Sequence, residues 1–339
     1  MSPTRSIENA TFSAIGFGAM GISGFYGAIE SDEDRFKVLD AAYAAGCTFW
    51  DTADMYGDSE ELIGKWFKRT GKRSEIFLAT KFGFKPDFTI DGTPARVHEA
   101  AKSSLARLGV DYIDLYYLHR PDKNTPIEHT IGAMAELVKE GKVKHIGISE
   151  SSAATLRRAH AVHPIAAYQV EYSPFTLDIE DPEIGILTTA RELGVKIIAY
   201  SPLGRGLLTG QFKSPADFAA DDFRRMIPRY STENFPNILK IVEGLGAIGA
   251  KYNATPGQVA LAWVLAQGED VIPIPGTKKI KYLEENLAAG AITLSAEDIE
   301  AVRELASKAD AVQGERYPVG MTDMSFAASR KVSFDLTDI

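Results

Sequence analysis

The sequence predicts a single (β/α)8 barrel, also called a TIM barrel, over residues 1–339. Eight short segments rich in apolar, β-branched and aromatic residues alternate with eight segments that carry helix signals, and composition does not change between them. The apolar segments show no in–out alternation, which is typical of strands buried on both faces. Eight such units close into a barrel. The alternative is an open, doubly wound sheet, which more often has about five or six strands.

The predicted strands and helices follow each other in a regular order. In chain order, the strands are AIGFGAM, CTFWDTA, EIFLATKF, DYIDLYYLH, VKHIGIS, IAAYQVEY, VKIIAYSP and DVIPIPG. The first three helices span residues 31–46, 59–71 and 93–109, each from a Ser or Thr cap to a glycine. Pro94 takes the first helical position of the third helix. The later helices lie in TPIEHTIGAMAELVKEG, SSAATLRRAHA, DPEIGILTTARELG, TPGQVALAWVLAQG and KKIKYLEENLAAG.

Two regions lie outside this alternation. Residues 209–255 follow the seventh strand and are too long for a simple loop, so they are expected to hold a functional loop and an extra helix. Residues 294–339 are expected to form a C-terminal helix and an irregular polar tail.

Composition narrows the possible functions. The formal net charge is −9, so no basic field attracts nucleic acid or an anionic membrane. Cys47 is the one cysteine, which excludes a disulfide framework within one chain and fits a reducing compartment. The N-terminal stretch has no apolar signal core, and no run is apolar and long enough to span a bilayer. We therefore expect a soluble cytoplasmic protein that acts on a small molecule; its oligomeric state is left open.

The stretch IGFGAMG raises the question of a dinucleotide-binding fold. Gly16, Gly18 and Gly21 have the spacing of the Rossmann fingerprint, which must close a strand and open a helix. The next helix signal comes only near Ser31, so these glycines are not expected to open a helix. We interpret the stretch as the end of the first barrel strand.

Ionisable side chains cluster at predicted strand ends, where barrel enzymes carry their chemistry. Asp51 ends the second strand and Tyr56 follows it, Lys81 ends the third strand, and His119 ends the fourth. Each residue alone has a structural explanation, such as a buried ion pair, a core histidine or a rim aromatic. Together they favour a site, since lysine and aspartate are rarely buried unless paired or used.

These four groups suit carbonyl reduction. An ammonium favours the phenolate of a neighbouring tyrosine, a carboxylate keeps the ammonium charged, and a histidine orients a carbonyl oxygen. Metal-dependent hydrolysis is disfavoured because the six histidines include no H-x-x-x-H pair on a helix, and we expect no metal site.

Along essentially its whole length, the sequence resembles the aldo-keto reductase superfamily. The motifs DTADMYG, ATKFG, DLYYLHRPD, GKVKHIGIS, YQVEYSPF, SPLGRGLLTG and IPIPGTKKIKYLEEN occur in the family's order. FRRMIPRYSTENFPNILKIVE and GERYP resemble one branch, plant and fungal enzymes such as perakine reductase and fission-yeast pyridoxal reductase. The resemblance implies NADPH-dependent reduction of aldehydes and ketones to alcohols by direct hydride transfer. Tyr56 is then the general acid, Lys81 lowers its pKa, Asp51 pairs with Lys81, and His119 orients the carbonyl.

The resemblance also implies a set of cofactor-binding residues. Ser149, Glu150 and Gln169 match the positions that hold the nicotinamide carboxamide, although many family members have Asn where this chain has Glu150, and Glu cannot donate to the carboxamide oxygen. Tyr200 matches the residue that stacks on the ring. The remaining matched residues lie along the rest of the cofactor. They are Gly18 and Met20 beside the nicotinamide, Ser201, Leu203, Gly204 and Arg205 near the pyrophosphate, and Glu285 and Asn286 at the adenine.

The residues before the last helix support a phosphate site on their own. Gly276 and Thr277 precede that helix, and Lys278 and Lys279 stand at its start. Lysines oppose the helix dipole there unless a phosphate lies between them and the backbone amides. We therefore expect Lys278, with Lys279, to hold the 2′-phosphate of NADPH; two solvated lysines are the alternative.

Two functions remain open at this stage. The first is a reductase for small, largely apolar carbonyl compounds, with substrate contacts from Phe25, Tyr26, Phe82 and Arg120. Phe84 and Trp66 are further aromatic residues that could line the pocket. Alternatively, Arg120 pairs with Asp122 and does not contact the substrate. The second is a cofactor-bound redox sensor resembling potassium-channel β subunits. Turnover separates the two.

Overall fold

Eight parallel strands curl into a barrel with helices around it, in a computed structural model that describes residues 3–318, 320 and 322–331. A two-stranded antiparallel hairpin precedes the barrel, and the barrel strands are neighbours in chain order. This confirms the predicted fold class. The strands are β1 (Thr4–Ile7) and β2 (Ala10–Ser13) in the hairpin, then β3 (Phe17–Gly18), β4 (Phe49–Asp51), β5 (Phe77–Phe82), β6 (Ile113–Leu118), β7 (Val143–Ser149), β8 (Ile165–Glu171), β9 (Lys196–Tyr200) and β10 (Val271–Pro273).

The barrel closes where its first and last strands meet. The Gly16 N–H donates to the Pro273 carbonyl at 2.9 Å, and the Gly18 N–H donates to the Pro275 carbonyl at 3.2 Å. A Cβ on Gly18 would lie 2.7 Å from the Ile274 carbonyl oxygen, and one on Gly276 would lie 2.6 Å from the Gly18 carbonyl oxygen. Both glycines therefore have a structural role, because no side chain fits between these backbones.

Aromatic and aliphatic side chains fill the barrel, and the hairpin covers its lower end. Phe12 of β2 packs on Phe49 and Phe77, with ring centroids 4.9 and 4.6 Å away. Phe49 and Phe77 begin β4 and β5, so the hairpin lies at the amino-terminal ends of the strands. The carboxyl ends are left for the polar residues.

Most helices begin and end close to the predicted signals, but the helix in DPEIGILTTARELG begins only at Ile186, after Gly185 in the left-handed region. Thr93 accepts from the Arg96 N–H at the start of α4, and Gly109 ends that helix with a φ of 62°, in the left-handed region that glycine tolerates. The helices are α1 (Met20–Ser23), α2 (Asp32–Ala44), α3 (Ser59–Thr70), α4 (Pro94–Leu108), α5 (Ile127–Lys139), α6 (Ala153–Val162), α7 (Ile186–Glu192), α8 (Phe235–Ala250), α9 (Pro256–Ala266), α10 (Ile280–Ala288) and α11 (Ala296–Lys308).

Two other helix predictions need correction. The glycines of IGFGAMG were expected to open no helix, but α1 follows β3 directly as a single turn that contains Gly21. Ser59 was expected to cap the second helix, but it is the first helical residue, after Asp58. Its hydroxyl is buried and accepts from the Thr52 hydroxyl at 2.7 Å, so it does not serve as a cap.

The regions outside the alternation add two helices, which pack on α9 and on each other, and several short turns. Short 3₁₀ turns at 215–217, 223–226 and 228–230 precede α8, the extra helix expected within 209–255. After α11 the chain runs back irregularly to residue 331. Residues 1–2, 319, 321 and 332–339 of the predicted ranges lie outside the described residues. No helix of the described residues has the length and apolar character needed to cross a bilayer.

Candidate active site

Four predicted residues meet at the carboxyl end of the barrel. Asp51 ends β4, Lys81 lies near the end of β5, and His119 follows β6 directly. Tyr56 lies in the loop after β4, which is fixed by hydrogen bonds from the Asp54 N–H to the Lys81 carbonyl at 3.0 Å and from the Tyr56 N–H to the Ala53 carbonyl at 3.1 Å. Neighbouring parallel strands thus present these side chains to one space.

The lysine is the centre of the group. Its ammonium is fully buried and donates to Asp51 Oδ1 at 2.5 Å, to the Thr52 carbonyl at 2.7 Å and to the Tyr56 hydroxyl at 3.4 Å. Burial alone would lower the pKa of Lys81, but Asp51 and Tyr56 hold that pKa above its ordinary value. The lysine is therefore charged at neutral pH and points its charge at the phenol.

The expected effect of Lys81 on Tyr56 is only partly right. Lys81 does oppose a rise in the pKa of Tyr56, but burial is the larger cause and leaves that pKa above its ordinary value. The phenol is therefore protonated at neutral pH. This is the form that a proton donor needs, with the ammonium in place to stabilise the phenolate once the proton has left.

His119 faces the same space as a neutral ring. Its imidazole packs edge-on against Tyr56 and Phe84, with ring centroids 5.7 and 5.0 Å away. Burial first, and then the charges of Lys81 and Arg120, hold the pKa of His119 well below its usual value. Its Nδ1 is buried and has no hydrogen-bond partner among the described residues. A neutral ring in this position can form a hydrogen bond to an oxygen without carrying a full charge.

The residues matched to the carboxamide are held by other protein groups. Gln169 Nε2 donates to Asp51 Oδ2 at 2.7 Å, so it supports the Asp51–Lys81 pair. The Ser149 hydroxyl accepts from Arg120 at 3.2 Å. Glu150 accepts from the Tyr200 hydroxyl at 2.7 Å and from Arg316 at 3.3 Å, so both of its carboxylate oxygens are engaged. Among the three, Glu150 fits the expected carboxamide contact least.

The residues matched to the dinucleotide follow the carboxyl ends of β3 and β9. Arg205 donates to Glu171 at 3.1 Å, while its other terminal nitrogen, Nη1, is buried without a partner among the described residues. Such an orphaned donor suits a phosphate oxygen. Ser201 and Gly204 form the turn before it, with a 2.9 Å bond from the Gly204 N–H to the Ser201 carbonyl, and Leu203 is buried beneath. Met20 begins α1 and is partly exposed at the rim.

At the predicted phosphate end, α10 begins without a side-chain cap, so its first amides are left for another partner. Thr277 accepts from the Lys279 N–H at 3.1 Å. Lys278 donates to the carbonyls of Tyr26 at 2.6 Å and Ala28 at 2.7 Å, across the mouth. It is therefore engaged rather than solvated. Glu285 accepts from the Thr255 hydroxyl at 2.7 Å, and Asn286 is buried in α10.

The predicted substrate residues divide into two groups. Phe25 packs edge-on against Tyr56 at 6.1 Å and is partly exposed, as a pocket wall would be. Phe82 is wrong as a substrate residue: it follows Lys81 on β5, points away from the barrel axis and stacks on Tyr116 in the outer core. Phe84, two residues later, returns to the site side beside His119. Trp66 is helix core and donates to Asp40 at 2.8 Å.

Two further predicted substrate residues, Tyr26 and Arg120, are held by other protein groups. Tyr26 packs under the Arg224 guanidinium, which lies 5.2 Å from the ring centroid. Arg120 does not pair with Asp122, whose carboxylate accepts from the Gly92 and Asn124 N–H groups and the Thr125 hydroxyl. It donates instead to the His119 carbonyl at 2.8 Å and to the Tyr317 hydroxyl at 3.2 Å.

Sequence reasoning missed Arg316 and Tyr317. Both follow the last helix, so the rule that functional residues end barrel strands could not find them. The only signal was the segment GERYP, which pointed to a branch of a family and not to a position in the site. Tyr317 lies with its hydroxyl 2.6 Å from that of Tyr200, and Arg316 is buried against Glu150 and Glu171.

Comparisons with known proteins agree with this geometry. Residues 14–307 match the model of the Aldo/keto reductase family. Aldo-keto reductase str7 of Strobilurus tenacellus is 66% identical over 319 residues, which cover 93% of this chain and 94% of that protein. Aldo-keto reductase yakc of Schizosaccharomyces pombe, whose name specifies NADP(+), is 51% identical over 325 residues, covering 94% and 95%. The solved glycerol dehydrogenase AKR11B4 of Gluconobacter oxydans superposes with a TM-score of 0.82 at 29% identity, covering 90% of this chain and 95% of that one.

Proposed function

This chain belongs to the aldo/keto reductase family, and we propose that it uses NADPH to reduce small, largely apolar aldehydes and ketones, with Tyr56 as the proton donor. The observation that carries the proposal is the buried group of Tyr56, Lys81 and Asp51 with the neutral His119 ring facing it. A protonated phenol, a fixed ammonium and an imidazole around one space are what carbonyl reduction needs.

Each of the four side chains has its own role in the proposed reduction. NADPH, when bound, supplies the hydride. His119 orients the substrate oxygen, and Tyr56 gives that oxygen its proton as negative charge develops on it. Lys81 stabilises the phenolate that remains, and Asp51, itself held by Gln169, keeps Lys81 charged and in place. In the reverse direction, Tyr56 acts as the base.

Several residues fit NADPH. The buried, unpartnered Arg205 nitrogen suits a phosphate oxygen, and the uncapped start of α10 suits another, with Lys278 and Lys279 nearby. Tyr200, partly exposed beside Glu150, suits the nicotinamide ring. The name of the yeast relative, which specifies NADP(+), supports the same cofactor.

A Lys278→Ala variant tests the phosphate end. We expect it to weaken NADPH about 10- to 100-fold, the loss of one charge-assisted hydrogen bond, and to change NADH much less. The measurement is the Kd of both cofactors by fluorescence titration. Lys281→Ala is the matched control, since Lys281 is an exposed lysine in the first turn of α10, three residues after Lys278. Equal weakening of both cofactors would mean that Lys278 only tethers residues 26–28.

The aromatic wall supports an apolar substrate. Phe25 and Phe84 flank Tyr56 and His119, so a carbonyl carried by an aromatic or aliphatic group would pack between them. Arg120 is already bonded to Tyr317 and Ser149, so an acidic substrate finds no free cation in that side chain. We therefore favour neutral aldehydes over acidic ones.

A panel of aldehydes and ketones with NADPH, including pyridoxal, tests the proposed function. We expect steady multiple turnover, faster for apolar aldehydes than for carboxylate-bearing ones. A single slow oxidation of bound NADPH without turnover would favour the redox sensor instead. A fluorescent fusion tests the cytoplasmic location, which we infer from the single buried cysteine and the absence of a disulfide framework.

A further inference from the structure

The chain returns to the barrel mouth after its last helix. The tail segment, defined as residues 311–331 without 319 and 321, runs from the end of α11 to the carboxyl ends of β7 and β9. Arg316 and Tyr317 point into the mouth, and Ala327 forms a parallel bridge with Ser151 just after β7. This segment is not part of the eight-unit barrel, yet it touches residues expected to receive the nicotinamide.

The tail segment contacts the side chain of Glu150 through an ion pair. Glu150 is fully buried, and its Oε2 lies 3.3 Å from Arg316 Nη2. Arg316 also lies 3.4 Å from Glu171 Oε2 and 3.2 Å from Asp178 Oδ2, and its guanidinium stands 5.1 Å from the Phe326 ring centroid. Burial raises the pKa of Glu150, but Arg316 and then Arg120 outweigh it and hold that pKa below its ordinary value.

The same segment also holds the backbone of Glu150. Glu150 has a φ of 52°, in the left-handed region, which is uncommon for a residue with a side chain. The Ala327 N–H donates to the Glu150 carbonyl at 2.8 Å, and the Ser152 N–H donates to the Ala327 carbonyl at 2.9 Å. The tail segment thus fixes both the conformation and the charge of this one residue.

Glu150 in turn positions Tyr200. The Tyr200 hydroxyl donates to Glu150 Oε1 at 2.7 Å and lies 2.6 Å from the Tyr317 hydroxyl, which accepts from Arg120 at 3.2 Å. Tyr200 is the residue matched to the nicotinamide ring. Its orientation therefore depends on two tail residues and on the ionised Glu150.

We propose that Arg316 is a positioning residue for cofactor binding: it supplies the counter-ion that allows a buried glutamate at position 150, and through Glu150 and Tyr200 it orders the nicotinamide side of the site. The proposal rests on the proposed function, because Tyr200 is taken as the ring-stacking residue. It explains how this chain has a carboxylate where many family members have a neutral amide, since the tail segment brings the matching positive charge.

Arg316→Met tests the proposal because it keeps much of the side-chain volume and removes the charge. Glu150 then stays buried with Arg120 as the remaining nearby cation among the described residues, and its pKa rises. We expect the Kd for NADPH to increase about tenfold or more at pH 8, and to recover as the pH falls and Glu150 becomes neutral. The titratable and charged groups that face Glu150 are Arg316 of the tail segment, Arg120 after β6, Tyr168 and Glu171 of β8, and Tyr200 of β9.

The double variant Glu150→Gln with Arg316→Met separates charge matching from packing. Its neutral amide needs no counter-ion, and Glu171 keeps Arg205 at 3.1 Å. Its Kd for NADPH should therefore return to within about threefold of the wild-type value, with no pH dependence between about pH 5.5 and 8.5. Hydrogen exchange of the full-length protein without cofactor gives a second readout. The Ala327 amide should exchange faster in Arg316→Met and regain protection in the double variant.

Arg158→Met is the matched control. Arg158 pairs with Glu128 and donates to the carbonyls of Ser329 and Arg330, so it holds the end of the tail segment without touching Glu150. It should leave the Kd for NADPH unchanged. The proposal is overturned if Arg316→Met binds NADPH as the wild type does at every pH, or if the double variant shares its defect. Aldehyde turnover in those variants would leave the proposed function standing; a wild-type chain that does not bind NADPH would remove both.

Discussion

Tyr56→Phe is expected to reduce kcat by about 10²- to 10⁴-fold, the usual contribution of a positioned general acid. The change removes one hydroxyl and keeps the ring that packs against Phe25 and His119. Because the proton is needed only as charge develops on the carbonyl oxygen, the loss should fall on kcat and leave the Kd for NADPH within about twofold. Steady-state kinetics with an apolar aldehyde and a fluorescence titration of NADPH measure the two quantities.

Tyr116→Phe is the control for this variant. Tyr116 is fully buried on the outer face of β6, stacks on Phe82, and has a hydroxyl without a partner among the described residues. Removing that hydroxyl should leave turnover unchanged and cost no stability, since an unsatisfied buried group is lost. Turnover at the wild-type rate in Tyr56→Phe would show that another group gives the proton.

The order of strands and helices was predictable from local signals, but the contacts that close the barrel were not. A uniformly apolar strand or a helix cap such as Thr93 is defined by residues that are close together in the sequence. Such signals can therefore be recognised from the sequence alone. The approach of Gly18 to Gly276 joins the two ends of the barrel sequence and depends on the curvature of the whole sheet. The single turn α1 was missed for a related reason: it has no capping side chain, so tertiary packing forms it rather than a local signal.

The same limit applies to the site. Asp51, Lys81 and His119 could be found because the carboxyl ends of parallel strands meet at one edge of the barrel. Phe82 was misplaced because side-chain alternation, with Lys81 facing inward, puts its neighbour on the outer face. Arg316 could not be found by any rule about strands, because its position depends on the path of an irregular segment. Its partner, Glu150, did stand out in the sequence as a departure from the family pattern.

Lys81→Met is expected to reduce both activity and stability. Lys81 and Asp51 have side chains that are 0% and 4% exposed, and removing one partner leaves the other as an uncompensated buried charge. That usually costs about 3–5 kcal/mol of unfolding free energy. Turnover should fall by about 10²-fold or more as well, because the ammonium that donates to the Tyr56 hydroxyl and stabilises its phenolate is lost. Urea unfolding and steady-state kinetics measure the two losses.

The double variant Asp51→Asn with Lys81→Met separates the two roles of the lysine. With both charges gone, no buried carboxylate has to be neutralised, and the amide oxygen introduced at position 51 can still accept from Gln169, which donates to Asp51 at 2.7 Å in the native chain. Most of the lost stability should therefore return, since removing both partners of a buried pair is often nearly neutral. Turnover should stay low, because the ammonium beside Tyr56 is still missing. If turnover returned together with stability, the lysine would be a structural ion-pair partner, and the proton donor would not depend on its charge.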